Sequence, residues 1–333
     1  MSGRKCRRGN GVKKLNKKFW LGIIAAVALY GVVQVLLTTG GLDDVQESML
    51  LLICVNVILA VSLNLINGIT GQFSIGHAGF MSVGAYTSAI LTLDYDVPFI
   101  FAILAGGILA AICGVLIGMP TLRLKGDYLA IATLGFGEII RIVLLNTEYV
   151  GGASGLSGIP AKSTWTIMFF FMLITIVLIN NFIRSTHGRA CLAIRENEIA
   201  AEAMGINTTL YKVIAFTIGA LFAGIAGGLS AHTFYVITPG SFNFLKSFEI
   251  LVMVVLGGLG STAGSIVGAV FVTLLYTYLR DFPEWRMIIY SIVLILMMIF
   301  RPGGLLGSTK FSLKKLGKKE AKANGGISDS SAS

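Results

Sequence analysis

The chain is expected to be an all-α polytopic membrane protein of about ten transmembrane segments, N-in and C-in. Three observations point to this. Of its 333 residues, 55% are apolar and only 13% are charged, whereas a soluble domain carries about 25% charged residues. Mean hydropathy is +0.83, and apolar runs of the roughly 20 residues that a bilayer demands recur from Phe19 to Phe300. Basic residues collect at both ends, with eight of the 26 Lys and Arg before Phe19 and seven from Arg301 onward. The apolar runs are continuous, which argues against a barrel of alternating strands.

Charge signs thread the elements, because cytoplasmic loops hold an excess of Lys and Arg. A basic tail covers 1–18. Span 1, over 19–38, is followed by T-T-G-G-L-D-D without an A-x-A cleavage site, so it reads as a retained span. Asp43, Asp44 and Glu47 form an external loop. Span 2 (49–66) returns, and the Gly-rich stretch Gly68–Tyr86 leads into span 3 (74–93). Asp94 and Asp96 are external. Span 4 (98–118) comes back to Arg123 and Lys125, and span 5 (128–145) leads to the external loop T-E-Y-V-G-G-A-S-G-L-S-G-I-P. Span 6 (165–183) reaches a polar island, and span 7 (213–236) leaves it. Between Phe248 and Leu279 two apolar pieces are separated by G-G-L-G-S-T-A-G-S. They make either two short spans or a re-entrant hairpin. A last span over 285–300 precedes a basic tail, 301–333, whose low-complexity end reads as disordered. The total is ten, or eight if the short pieces do not cross. This threading puts 21 of 26 basic residues inside. Residues 19–300 thus form one integral membrane domain.

Composition also excludes functions. The formal charge of +10 flanks membrane spans, without the aromatic-basic surface of a nucleic-acid module, so its expected partner is anionic membrane lipid and not nucleic acid. Cys6, Cys54, Cys113 and Cys191 form no C-x-x-C pair. Two fall in spans and two on a reducing face, so neither disulfides nor a zinc site are expected. No Ser-His-Asp set, metal cluster or catalytic carboxylate pair appears.

The island Arg184–Lys212, R-S-T-H-G-R-A-C-L-A-I-R-E-N-E-I-A-A-E-A-M-G-I-N-T-T-L-Y-K, is too polar for lipid and too rich in Ala, Glu and Arg for a slack linker. It predicts a short helix pair, with Gly205 placed to end the second helix. Small Ala200 and Ala201 would let that helix lie in a partner's groove. A solvated loop held by Glu–Arg pairs is the alternative.

Other polar groups stand inside the spans. Thr70, Gln72, Ser74 and His77 lie in the first Gly-rich segment. Such segments either pack backbones closely or break helices around a cavity, where free backbone groups meet a zwitterion. Glu138 and Arg141 share a helix face at i, i+3, as an internal ion pair or a substrate contact. Asn56, His232 and Glu249 are single polar groups.

Several stretches together resemble the LivM-type permeases of branched-chain amino acid ABC transporters. They are N-L-I-N-G-I-T-G-Q-F-S-I-G-H-A-G-F-M-S-V-G-A-Y (Asn64–Tyr86), G-L-S-G-I-P (Gly155–Pro160), G-R-A-C-L-A-I-R-E-N-E-I-A-A-E-A-M-G (Gly188–Gly205), Val255–Ala269 and R-P-G-G-L-L-G (Arg301–Gly307). The resemblance covers roughly 50–307. It implies a fold like the ribose and vitamin B12 importer permeases, in a bacterial or archaeal plasma membrane. The implied partners are a second homologous permease, two cytoplasmic ATP-binding subunits and an extracytoplasmic solute-binding protein. ATP would be bound by those partners, and the chain holds no G-x-x-x-x-G-K-[ST] phosphate loop.

Arg195, Glu198, Ala200, Ala201 and Gly205 become the implied ATPase-coupling residues. The general coupling motif opens with Glu; here Ile199 stands there and Glu198 lies one residue earlier. Gln72, Ser74, His77, Glu138 and Arg141 are the substrate-path candidates. The expected function is import of branched-chain or other hydrophobic amino acids. The alternatives are import of urea or short-chain amides, or secondary transport using Glu138.

Overall fold

The computed structural model describes residues 30–39, 43–122, 124 and 126–279, with isolated positions 28, 288, 289, 291, 292, 295, 299 and 304. The basic tails, the start of span 1, most of the last span, Arg123 and Lys125 lie outside the described residues. The protein is an all-α polytopic membrane protein. Among the described residues, five helices are long and apolar enough to cross a bilayer.

Helix α1 covers residues 30–38. Helix α2 (Asp44–Asn64) opens with a reciprocal cap, the Asp43 amide donating to Gln46 Oε1 at 3.3 Å. Asp44 and Glu47 complement the positive helix start. The helix runs on through a π turn, Leu65–Ile69, as one 26-residue apolar run. After an extended stretch come α3 (His77–Leu93), α4 (Phe99–Thr121) behind Pro98, α5 (Asp127–Asn146) and α6 (Trp165–Arg184). The polar pair α7 (Thr186–Glu196) and α8 (Glu198–Ala203) leads into α9 (Thr208–Phe234). Helices α10 (Phe244–Gly257) and α11 (Thr262–Tyr278) form an antiparallel-looking hairpin about a tight turn, Gly258–Ser261.

Five successive starts carry Ser or Asn caps: Ser185, Asn197, Asn207, Asn243 and Ser261 each accept a backbone N–H three residues on. Each satisfies a donor that the first helical turn leaves unpaired.

Burial ranks the helices. The apolar window of α2 is 78% buried, against 17% for α5. Helix α2 is therefore the central post, with α9 beside it. Helices α4, α5 and α6 turn large apolar side chains outward, among them Phe101, Leu116, Ile131, Val143 and Phe170. An exposed apolar surface of this extent is a lipid-facing one.

Helices α3, α4 and α9 meet at Gly84, Gly106 and Gly224. A Cβ on Gly84 would fall 2.1 Å from the Gly224 carbonyl oxygen, and one on Gly106 would fall 2.6 Å from that of Gly84. Small residues at crossings are how helices in lipid gain contact without a hydrophobic driving force.

The loop expected after span 5 is folded. Two 3₁₀ turns, Glu148–Val150 and Gly152–Ser154, lead to β1 (Leu156–Ser157), which pairs antiparallel with β2 (Val236–Ile237) beyond α9. Ile159 is buried beneath the pair. Span 7 also starts earlier than the charge pattern suggested. The last residues of the polar island, Thr208–Lys212, form the first turn of α9, because Asn207 caps it.

Gly84→Val forces α3 off α9. It is expected to destabilise the fold by about 3 kcal/mol, read as a lower melting temperature of the detergent-solubilised protein. Val83→Ala, one residue away, is the comparison.

Candidate functional site

The polar island is the helix pair α7–α8, standing at the start of α9. Its local chemistry explains its shape. Helix α8 ends in a Schellman turn: the Gly205 amide donates to the Glu202 carbonyl and the Ile206 amide to that of Ala201. Gly205 sits at φ +81, the left-handed region that glycine enters freely. Ala201 is buried and Ala200 exposed. Glu198 Oε1 accepts from Lys212 Nζ at 2.5 Å, tying α8 to the first turn of α9. Glu202 accepts from the Thr208 hydroxyl at 2.7 Å. The outer surface of the pair shows Ile199 at 76% exposure and Met204 at 82%. Among the described residues nothing covers these two apolar side chains, which stand bare on a charged element.

Arg195 joins this pair to the bundle. Its Nη1 donates to the Gly68 carbonyl at 2.5 Å. That carbonyl belongs to the π turn ending the long α2 run, where helix carbonyls lose their intrahelical partners. The Arg195 stem passes Gly71, and its guanidinium lies against Gly260 in the α10–α11 turn, where an added Cβ would come within 2.4 Å of Nη1. Gly260 in turn donates its N–H to Asn64 Oδ1 at 2.8 Å. Gly304, from the R-P-G-G-L-L-G stretch, packs on Gly258. Four stretches far apart in sequence therefore converge on one end of the molecule.

The substrate-path candidates distribute differently. Ser74 exchanges two hydrogen bonds with the Asn67 amide, closing the extended stretch onto the π turn. His77 Nε2 lies 2.8 Å from the Ser62 hydroxyl, in the interior. Gln72 is buried, and its side-chain amide has no hydrogen-bond partner among the described residues. Arg141 Nε donates to Glu138 at 2.7 Å, and the other Glu138 oxygen accepts the Phe244 amide at 3.0 Å. The two Gly-rich segments serve mainly as contact surfaces. Gly79 approaches Gly137 of α5, and Gly257 approaches Gly264 across the hairpin.

Toward the other end of α9, about 20 Å from the Arg195 junction by the 14-residue length of α10, lies a cavity of about 720 Å³. Helices α2, α9, α10 and α11 wall it, together with Met81 of α3, the segment 236–243, Ser291 and Ile295. Of the substrate-path candidates, none lines it. Its polar residues include Asn56, Lys246 and Glu249. Lys246 Nζ donates to Glu249 Oε2 at 3.1 Å, and both side chains are about four-fifths covered. The spacing K-x-x-E inside an apolar run was the available signal. Glu249 read alone, as a single polar group, hid its partner on the same helix face.

A helix bundle with long apolar helices, outward-facing apolar side chains and a polar helix pair at one end defines a multi-pass membrane protein. Residues 45–300 match the family described as branched-chain amino acid transport system / permease component, and the chain belongs to that family. It is 40% identical over 293 residues to the high-affinity branched-chain amino acid transport system permease protein LivM of Salmonella typhimurium, across 78% of this chain and 69% of that protein. The LivM protein of Escherichia coli is 39% identical over the same shares. The LivH permease protein of Escherichia coli is 24% identical over 75% of this chain and 90% of its own length. No solved structure matches the chain.

Two measurements follow from the α7–α8 end. Glu198→Gln removes a partly exposed ion pair of about 1 kcal/mol at most. Hydrogen exchange at 198–206 is expected to quicken by about fivefold, with the transmembrane helices unchanged. Burial pushes the Cys191 thiol above its usual range, against hydrogen bonds from Thr70 and its own backbone surroundings. Its alkylation by a maleimide at neutral pH is expected to lag an exposed thiol. Arg195→Ala, which frees α7 from the Gly68 carbonyl, is expected to accelerate it.

Proposed function

We propose that the chain is the membrane-spanning subunit of an ATP-driven importer for branched-chain or other hydrophobic amino acids. It sits in a bacterial or archaeal inner membrane with the α7–α8 end in the cytoplasm and the cavity end outside. Ten spans, N-in and C-in, remain the preferred threading, with α10 and α11 as short paired crossings. The partners are a second, homologous permease, two ATP-binding subunits and an external solute-binding protein. The chain itself is a transport subunit without an ATPase site, and ATP belongs to the partners.

The observation that carries this reading is the exposed apolar pair Ile199 and Met204 on a helix pair wired to the bundle by Arg195. An ATPase seated on α8 would move α7 as one body with it, since Asn197 joins the two with a cap and no slack. The guanidinium of Arg195 would then pass that motion both to the end of α2 and to the α10–α11 turn. Ala201 keeps α8 close to the bundle, Gly205 aims the return into α9, and Glu198 holds α8 to α9. The position one before Ile199 thus acquires a reason for its acid: Glu198 works inward, on Lys212, while Ile199 faces the partner.

Among the described residues, Glu138 is fully engaged by Arg141 and the Phe244 amide, which weighs against its serving as a proton carrier.

The test is Gly205→Glu in proteoliposomes holding the whole complex. A side chain at φ +81 is strained, and the charge would stand on the docking face. Leucine uptake and substrate-stimulated ATP hydrolysis are both expected to fall by about tenfold or more, equivalent to about 1.4 kcal/mol of lost coupling. Wild-type values for both would refute the coupling role.

A further inference from the structure

We infer that the cavity near Lys246 and Glu249 is a recognition site for a zwitterionic α-amino acid with an apolar side chain. This rests on the importer reading and deepens it, because it gives the permease a selectivity of its own beside that of a binding protein.

The chemistry begins with cost. A lone charge at this depth among apolar side chains is expensive, and ionisable groups inside membrane proteins pair or line a path. Lys246 and Glu249 pair with each other at 3.1 Å, so the charges of the described lining residues cancel. A zwitterion presents the complementary arrangement. Its carboxylate can take the Lys246 ammonium and its ammonium the Glu249 carboxylate, so each charge exchanges one partner for another. A neutral amide or urea brings no charge to offer. Separating the pair for it would leave two partly desolvated charges without compensation.

Size and surroundings agree with such an occupant. A volume of about 720 Å³ falls within the roughly 300–1,000 Å³ typical of small-molecule sites. Leu245, Phe248 and Val252 on α10, with Val55 on α2, supply an apolar wall beside the ion pair. Asn56, 1% exposed, contributes a second polar feature on the α2 wall. Its Nδ2 donates to the Thr273 hydroxyl at 2.9 Å, and its Oδ1 has no hydrogen-bond partner among the described residues. A buried acceptor left without a donor is uncommon, and an ammonium group is a donor of the right kind.

The pair also lies on the moving part of the proposed mechanism. Helix α10 begins at the cavity and ends at the turn that packs on Arg195. Occupancy at one end of α10 and the state of α7 at the other are therefore mechanically linked.

The test uses the assembled permease and ATPase complex in nanodiscs, without binding protein, and radiolabelled L-leucine as probe. Saturable binding is expected. Leucinamide, which lacks the carboxylate, and 4-methylpentanoate, which lacks the ammonium, are each expected to compete at least about tenfold more weakly than leucine, and urea not at all. Lys246→Met and Glu249→Gln are each expected to weaken leucine binding by about tenfold or more, with partial recovery in Lys246→Arg. The double variant Lys246→Met/Glu249→Gln separates recognition from structure. It leaves no unpaired charge, so a purely structural pair would be rescued by it, whereas a recognition pair would still fail to bind.

Absence of saturable binding in a complex that imports leucine would overturn the proposal. So would binding that is indifferent to both charges, or full competition by either truncated analogue. If the single variants do not assemble, the analogue series on the unaltered complex decides alone. A wild-type complex that shows no leucine-dependent ATP hydrolysis even with its binding protein would instead overturn the importer reading beneath it.

Discussion

The hydrogen bond from Arg195 to the Gly68 carbonyl organises this molecule. A helix that stops inside or beside a membrane leaves carbonyls that water cannot reach. The central helix α2 ends in a buried π turn, Leu65–Ile69. Its ending is resolved group by group: the Thr70 and Gln72 amides close back on Leu65 and Ile66, Asn67 and Ser74 bond reciprocally, and Gly68 turns to Arg195. Only the last of these partners comes from another element. The central post of the bundle is thereby finished by a residue of the polar helix pair, so that pair is a structural member and not an appendage.

The same guanidinium explains why glycine occupies the α10–α11 turn. Gly260 must let Arg195 approach and must also give its own N–H to Asn64. A side chain there would displace either the cation or the turn. Arg195 is thus shared among α2, α7 and the hairpin at the smallest separation their backbones permit. Coupling through a shared contact needs no long relay of side chains. It needs a junction with few ways to rearrange, and packed backbone with a charged donor at its centre is such a junction.

Much of this was legible in the chain. The apolar runs gave the long helices because in lipid the backbone has no other way to satisfy itself across that distance. The island between Arg184 and Lys212 was legible as a helix pair from its Ala, Glu and Arg content and from Gly205 as a stop, while the caps at Ser185, Asn197 and Asn207 went unread. The ion pair of Glu138 and Arg141 follows from spacing on one helix. Three things were hidden. The pairing of β1 with β2 joins residues about 80 apart, and two-residue strands leave no periodic signal. The Arg195–Gly68 bond involves a backbone carbonyl, which every residue carries and none advertises. The cavity depends on how α2, α10 and α11 diverge, and apolar composition is silent about divergence. Gln72 and His77 stand out as polar residues in an apolar region, and neither lines the 720 Å³ cavity; His77 meets the Ser62 hydroxyl, and the Gln72 side-chain amide has no partner among the described residues.

The crossing of α3, α4 and α9 at three glycines has a mechanical consequence. Backbones in direct contact have no yielding side chains between them, so the three helices cannot slide or roll without first separating. They behave as a chassis. In the importer cycle proposed above, opening and closing would fall to the elements outside that block, above all the α10–α11 hairpin, which is held at its turn and borders the cavity at its far end. Most of the protein's mass would then keep a fixed reference against which one hairpin is displaced.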